Sequence, residues 1–276
     1  MKLENKVAVI TGAGGVLCSA FAKALASEGC KVALIGLHEE NVKRVAAEIE
    51  NDGGCALYYE CNVLDKENLE RVHNDIKSKL GECNILINGA GGNNPRCTTA
   101  KEYFEKGDEA SEEIKTFFNL DKEDFSFVFD LNLVGTLLPT QVFARDMIEN
   151  GGNIINVSSM NAFRPLTKIP AYSSAKSAVS NLTQWLAVHF AKSGIRVNAI
   201  APGFFVTKQN KDMLYDKNGN PTPRTKKILD ATPMRRFGEP KELLGTLLWL
   251  CDDNASGFVT GIVVPVDGGF SAYSGV

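Results

Sequence analysis

The stretch Val9-Ile10-Thr11-Gly12-Ala13-Gly14-Gly15-Val16-Leu17-Cys18 decides the fold. It leaves a short apolar run that begins at Val7 and opens a segment in which Phe21, Ala22, Leu25 and Ala26 recur at helical spacing. Apolar run, glycine-rich turn and amphipathic helix, in that order, describe a buried strand feeding a helix. Glycines at such a turn let a pyrophosphate reach the free N–H groups and positive end of the helix. A glycine-rich turn with no ligand is the competing reading of this stretch alone, and no Gly-Lys-Ser/Thr follows that would make it a triphosphate loop.

Outward from this unit, short apolar runs alternate with helical patterns to the end of the chain. Val7 to Ile10, Val32 to Ile35, Ala56 to Tyr59, Ile85 to Ile87, Ile154 to Val157, Val197 to Ile200 and Ile262 to Val266 read as seven strands. Their near-continuous apolar character suits strands covered on both faces. The alternation predicts an α/β fold: one Rossmann-type, doubly wound, seven-stranded parallel sheet with helices on both faces, in a single domain over residues 1–276. Two stretches exceed a minimal unit. Residues 92–124, rich in Asp, Glu and Lys, read as a solvated excursion or a cap over a site; residues 204–233 form a second long segment, with a strong turn signal at Asp216-Lys217-Asn218-Gly219-Asn220-Pro221. Both follow strands expected to end on the ligand-binding edge of the sheet.

Composition narrows the function. Of 276 residues, 44% are hydrophobic and 23% charged, which rules out a disordered chain. A net charge of −3 leaves no basic excess for nucleic acid or an anionic membrane, and neither is expected as a partner. Seven scattered cysteines without a C-x-x-C pair argue against a disulfide framework or zinc site, and histidines 38, 73 and 189 lack ligand spacing, so no metal is expected. The N-terminus carries no signal-peptide core and no apolar run nears a membrane span; a cytoplasmic protein is expected.

The chemistry lies after the fifth run, at Ser158-Ser159 and Tyr172-Ser173-Ser174-Ala175-Lys176. Tyr172 and Lys176 share a helix face at i,i+4. A phenol titrates near 10, and lowering that by roughly three units, about 4 kcal/mol, needs nearby positive charge such as Lys176. Such a tyrosine exchanges a proton with an alcohol or ketone near neutral pH. Ser159, at a strand's C-terminal end thirteen residues earlier, can donate to the same substrate oxygen.

Thr11-Gly12, Asn88-Gly89-Ala90-Gly91, Asn132, Ser159, Tyr172, Lys176, Pro202-Gly203-x-x-x-Thr207 and Asp267-Gly268-Gly269 occur in the order and spacing of the short-chain dehydrogenase/reductase family, and the chain resembles it over about residues 5–270. The resemblance implies hydride transfer between NAD(P) and a carbonyl or alcohol, with Tyr172 as acid/base, Lys176 lowering its pKa and holding the nicotinamide ribose, Ser159 orienting the carbonyl and Asn132 holding a water of the proton relay. It implies cofactor contacts at Thr11, Gly12, Gly14, Gly15, Val16 and Leu17 of the glycine loop, at Gly36, Leu37 and His38 after the second strand and at Asn62 and Val63 after the third. Others follow at Asn88, Ala90 and Gly91, at Tyr172 and Lys176 themselves, and at Pro202, Gly203, Val206 and Thr207. Members of the family are commonly homotetramers joined through the helices after Asn132 and Tyr172 and near the C-terminus.

The chain departs from that pattern at four places. Val16 and Cys18 stand where the glycine loop usually has its last two glycines, with an additional glycine at Gly15, and Gly89 stands where the family usually has Asn. Asn62 replaces a common Asp, and its amide oxygen can still accept from the adenine amino group. Gly36 cannot supply the acidic ribose acceptor of NAD-selective relatives, yet no Arg follows to neutralise the 2′-phosphate of NADP. His38 reads best as a surface histidine, and the balance leans to NAD, because an uncompensated phosphate costs more than one lost hydroxyl bond.

The loops after residues 90 and 158, the 92–124 insertion and the tail from Gly269 resemble those of the branch of the family that interconverts D-fructuronate and D-mannonate in hexuronate catabolism. A sugar carboxylate needs a cation, and Arg164, Arg96 and Lys168, in that order, are candidates, with Asn161 for a hydroxyl. Another polyol or aldonate dehydrogenase, such as a gluconate 5-dehydrogenase, keeps every catalytic residue and differs only in the loops. A fatty-acyl reductase fits the acidic insertion poorly, and a non-catalytic nucleotide sensor would have no need of Ser159, Tyr172 and Lys176 together.

Overall fold

Each of the seven apolar runs is a strand in the computed structural model, which describes residues 3–206 and 214–275. In chain order the elements are β1 (Val7–Thr11), α1 (Val16–Ser27), β2 (Lys31–Gly36), α2 (Glu39–Asn51), β3 (Cys55–Glu60), α3 (Lys66–Lys79) and β4 (Cys83–Asn88). After the insertion come α4 (Lys122–Phe129), α5 (Gly135–Phe143), β5 (Gly152–Val157), α6 (Pro170–His189), β6 (Ile195–Pro202), α7 (Pro223–Ala231), α8 (Leu244–Cys251) and β7 (Val263–Val266). All pairings are parallel, in the order β3-β2-β1-β4-β5-β6-β7. The winding direction reverses between β1 and β4, so the carboxyl ends of these two strands frame the crevice in which such sheets bind ligands.

β1 shows why the runs are continuous rather than alternating. Ala8 and Ile10 pack on one face with Phe21 and Leu25 of α1 and Leu247 of α8, while Val7 and Val9 pack on the other with Leu69 and Val72 of α3 and Phe143 of α5. Both faces of the strand are core.

The 92–124 excursion is anchored as well as solvated. It contains three single turns, Pro95–Cys97, Asp108–Ala110 and Phe117–Asn119. Its Cys97 is fully buried with Val128 of α4 and Ala171 and Ala175 of α6, so the insertion sits against the helices that carry the site. The turn expected at Asp216–Pro221 is present, with the Asp216 carboxylate accepting from the Asn218 and Asn220 amides at 2.9 and 2.8 Å.

The expectation that no segment has the length of a membrane span needs one correction. The continuous helical run Lys122–Met147 has a mean hydropathy of 1.3 over 18 residues, long and apolar enough to cross a bilayer, but half of that window is buried inside the fold. It is a core helix by its packing against α3 and α6.

Candidate active site

Gly12 adopts φ +65°, and a Cβ there would stand 2.8 Å from the Gly89 carbonyl, so only glycine permits this approach of β1 to β4. Gly15 is the N-cap of α1 in extended conformation; no side chain caps the helix and no acidic residue lies in its first turn. The first N–H groups of α1 are thus left for an external acceptor, and at Gly14 a Cβ would meet Asn41 Cβ at 2.7 Å. This cradle of backbone fits a dinucleotide diphosphate, with the additional glycine at position 15 taking the cap and Val16 starting the helix.

Two candidate cofactor contacts are occupied elsewhere. Thr11 is fully buried and its hydroxyl accepts from the Gly89 and Ala90 amides at 3.0 and 3.2 Å, tying β1 to β4. The Asn88 side chain turns into the interior, donating to Thr140 and to Asn156, both at 2.9 Å. Both residues shape the crevice with side chains that the interior has claimed, which leaves their backbone groups for a nucleotide.

At the end of β2, a Cβ on Gly36 would stand 2.7 Å from Val42 Cγ1. Glycine is there because α2 packs tightly, which explains the missing ribose acceptor. Leu37 and His38 are exposed, and α2 begins with Glu39 and Glu40. Asn62 accepts from the Leu64 amide at 3.0 Å, which leaves a second lone pair on its oxygen, and Val63 is buried against Gly135. Gly36→Asp alone is therefore expected to lower stability by about 1–3 kcal/mol, the usual range for overpacking. Gly36→Asp with Val42→Ala should restore the melting temperature and raise the NAD-to-NADP ratio of kcat/KM; a fall in that ratio would mean the ribose lies elsewhere.

Asn132, Ser159, Tyr172 and Lys176 converge at the carboxyl ends of β4 and β5. Asn132 lies in a π-helical turn, Asp130–Val134, between α4 and α5. There its amide donates to the carbonyls of Gly92 and Val128, both at 2.8 Å, and accepts from the Gly92 amide at 3.2 Å. Such bulges recur at functional sites because they re-aim a side chain. Ser159 follows β5, accepts from the Asn161 amide at 3.2 Å and hydrogen-bonds the Tyr172 phenol. Lys176, 4% exposed, donates to the Val157 carbonyl at 2.8 Å, with Nζ 5.8 Å from the centre of the Tyr172 ring. A Cβ on Gly91 would stand 2.6 Å from Asn132 Oδ1 and 3.1 Å from Lys176 Nζ, so this glycine lets β4 pass beside both.

The electrostatics differ from the expectation for a lowered phenol. Burial pushes the Tyr172 phenol above its ordinary value, opposed only by the Ser159 hydrogen bond. Burial likewise pushes Lys176 down to about 8. Desolvation outweighs the Ser159 hydrogen bond, so the phenol holds its proton until further positive charge arrives.

The three candidate cations are not equivalent. Arg96 pairs with Asp124 at 3.1 Å and is largely exposed. Arg164 is exposed and donates to the Tyr273 carbonyl of the tail. Lys168 is half-buried, has no ion-pair partner among the described residues, and adopts φ +76°, with its carbonyl held at 2.9 Å by the Thr99 amide of the insertion. The insertion thus props a strained lysine two residues before α6, a contact no sequence signal announces. Asn161 is buried with an unpartnered Oδ1. Pro202 ends β6, Gly203 lies so close to Asp267 that a Cβ would reach its Cα at 2.5 Å, and Val206 is half-buried; Thr207 lies outside the described residues.

The chain is similar to known oxidoreductases in sequence and in structure. The sequence pattern of the short chain dehydrogenases matches residues 6–218. An uncharacterised oxidoreductase of Haemophilus influenzae is 60% identical over 275 residues, 99% of this chain and 96% of that one. A 2-dehydro-3-deoxy-D-gluconate 5-dehydrogenase of Dickeya dadantii is 32% identical over 98% of this chain and 97% of its own. Among solved structures, a candidate D-mannonate oxidoreductase from Haemophilus influenzae with bound NAD superposes with a TM-score of 0.95 at 59% identity, covering 100% of this chain and 98% of that chain. The chain belongs to the short-chain dehydrogenase family and is an oxidoreductase of that family.

Proposed function

We propose that the protein transfers hydride between NAD and a sugar acid, interconverting D-mannonate and D-fructuronate. The observation that carries the acid is Lys168, a half-buried cation with no ion-pair partner among the described residues, beside the helix that bears Tyr172. Bound NAD in the mannonate-type relative and the acidic start of α2, Glu39-Glu40, which would repel a 2′-phosphate, support the choice of cofactor.

In the oxidative direction Ser159 orients the substrate hydroxyl, Tyr172 accepts its proton, and the carbinol C–H bond breaks with both electrons passing to the nicotinamide. Lys176 holds the ribose and compensates the phenolate; Asn132 keeps the Gly92 backbone and a relay water in place. When bound, NAD supplies the hydride acceptor and the positive charge that the buried phenol lacks.

The ranking of carboxylate readers changes with the structure. Arg164 and Arg96 already have hydrogen-bond or ion-pair partners, whereas Lys168 has no ion pair among the described residues and acts only at longer range on Glu102 of the insertion. Loss of a charge-assisted hydrogen bond costs about 1.5–3 kcal/mol, so Lys168→Met should lower kcat/KM for D-mannonate by roughly 10- to 150-fold and leave a neutral polyol of equal length almost unaffected. Equal loss on both substrates would make Lys168 a loop-shaping residue.

The Dickeya relative favours a second reading, oxidation of the same C5 hydroxyl in a different acid, 2-dehydro-3-deoxygluconate or gluconate. Reduced-nicotinamide absorbance with D-mannonate, D-gluconate, 2-dehydro-3-deoxy-D-gluconate and mannitol, each with NAD or NADP, separates these; no turnover of any would overturn both readings.

We further infer a cytoplasmic homotetramer. Trp185 and Val188 on α6 are 57% and 80% exposed, and Trp185 stacks on His189 at 4.6 Å. Trp185→Asp should lower the mass found by sedimentation equilibrium; an unchanged tetramer would place the interface elsewhere.

A further inference from the structure

The segment leaving β4, Gly89-Ala90-Gly91, carries almost no side chain and is wedged between two parts of the site. On one side, a Cβ at Gly89 would stand 2.1 Å from Cys18 Sγ, so the thiol occupies the volume that any side chain at position 89 needs. On the other, Gly91 runs against Asn132 and Lys176 at the distances given above. The segment cannot slide between them, because the Thr11 hydroxyl holds the Gly89 and Ala90 amides and Asn132 holds both backbone groups of Gly92. Crowding at position 89 is therefore passed to Asn132 and Lys176 rather than absorbed.

Cys18 lies in the first turn of α1, the helix whose N-terminus fits the diphosphate. Its thiol and the Lys176 ammonium are near enough that each biases the other's protonation. Burial pushes the thiol up to about 12, so it is neutral and a poor nucleophile; what it contributes is volume. Two of the departures from the family pattern, Cys18 and Gly89, are 71 residues apart in the chain and fill a single space.

We propose that Cys18 is a positioning residue for Lys176: with Gly89 it forms one packing unit that sets the spacing between the start of α1 and the β4 exit, and through that segment the placement of Lys176 and Asn132. The proposal rests on the roles given above to Tyr172 and Lys176.

The test is a pair of variants and their combination, Gly89→Ala, Cys18→Ala and the double variant. With Cys18 shortened, a Cβ at position 89 would meet only the Cys18 Cβ position at 3.6 Å, an ordinary contact, while the Thr11 carbonyl at 2.9 Å remains in both backgrounds and keeps rescue partial. Three quantities are read: NADH affinity from nicotinamide fluorescence, which needs no substrate; kcat and KM with whichever acid of the panel is turned over; and the melting temperature. Gly89→Ala should weaken NADH binding and lower kcat, each by about tenfold or more, and the double variant should recover part of that loss, falling between Gly89→Ala and Cys18→Ala. A Gly89→Ala protein that melts earlier but keeps NADH affinity and kcat within about twofold of wild type would overturn the proposal, as would a double variant no better than Gly89→Ala. Should Gly89→Ala not fold, Cys18→Ala carries the test alone: about three- to tenfold weaker NADH binding is expected, and wild-type affinity and kcat together overturn it. A wrong substrate assignment would leave the NADH measurements unchanged, so the two failures are distinguishable.

Discussion

Tyr172→Phe is expected to lower kcat by about 10²- to 10⁴-fold, the range for loss of a positioned acid/base. The ring stays, so the small cluster with Val128, Ala171 and Ala175 and the start of α6 are kept, and NADH affinity should change little. Only the hydroxyl is lost, together with the Ser159 hydrogen bond that opposes burial. The pH profile supplies the sign. Oxidation consumes the phenolate, so kcat/KM in the wild type must rise with pH through the phenol's pKa, and Tyr172→Phe must lose that limb. Near wild-type kcat with an unchanged profile would remove Tyr172 from the chemistry.

Lys176→Met should lose activity, weaken NADH binding and, at neutral pH, make the protein more stable. Burial holds the ammonium at about 8 against an ordinary 10.5, so the unfolded chain binds more protons between those values and this group's contribution to stability rises with pH across that window. Below about 8 the folded protein carries the full penalty of a buried charge, roughly 3 kcal/mol, only partly offset by about 1 kcal/mol from the Val157 hydrogen bond. Methionine of similar length removes the charge, and the gain should raise the melting temperature by about 2–4 °C per kcal/mol for a chain of this size. Calorimetry at pH 7 checks it. A lower melting temperature would make Lys176 structural, and unchanged NADH affinity would remove the ribose contact.

The five inner strands were legible because each is buried on both faces and so reads as an unbroken apolar run; β1, with α1 and α8 on one side and α3 and α5 on the other, is the plain case, whereas the edge strands β3 and β7 are only partly covered. Tyr172 and Lys176 were legible because helical spacing alone puts them together. What could not be read depends on contacts between distant segments. The reason for Gly36 is Val42, one turn into the next helix; the reason for Gly89 is Cys18, across the crevice. Asn88 and Thr11 occupy motif positions, yet their side chains serve the interior, because in a two-sided sheet the direction of a side chain at a strand end follows from its neighbours and not from the motif. The contacts of Arg164 with Tyr273 and of Arg96 with Asp124 were likewise out of reach, since no spacing links the partners.

The measurement that bears most directly on the proposed chemistry is turnover of D-mannonate carrying deuterium at the carbinol carbon to be oxidised, with NAD as acceptor. Hydride transfer at the site of Ser159, Tyr172 and Lys176 requires deuterium to appear in the reduced nicotinamide, with transfer abolished in Tyr172→Phe and retained for mannonate over mannitol only while Lys168 is present. Deuterium released to water, or equal transfer from mannonate and mannitol in the wild type, would contradict it.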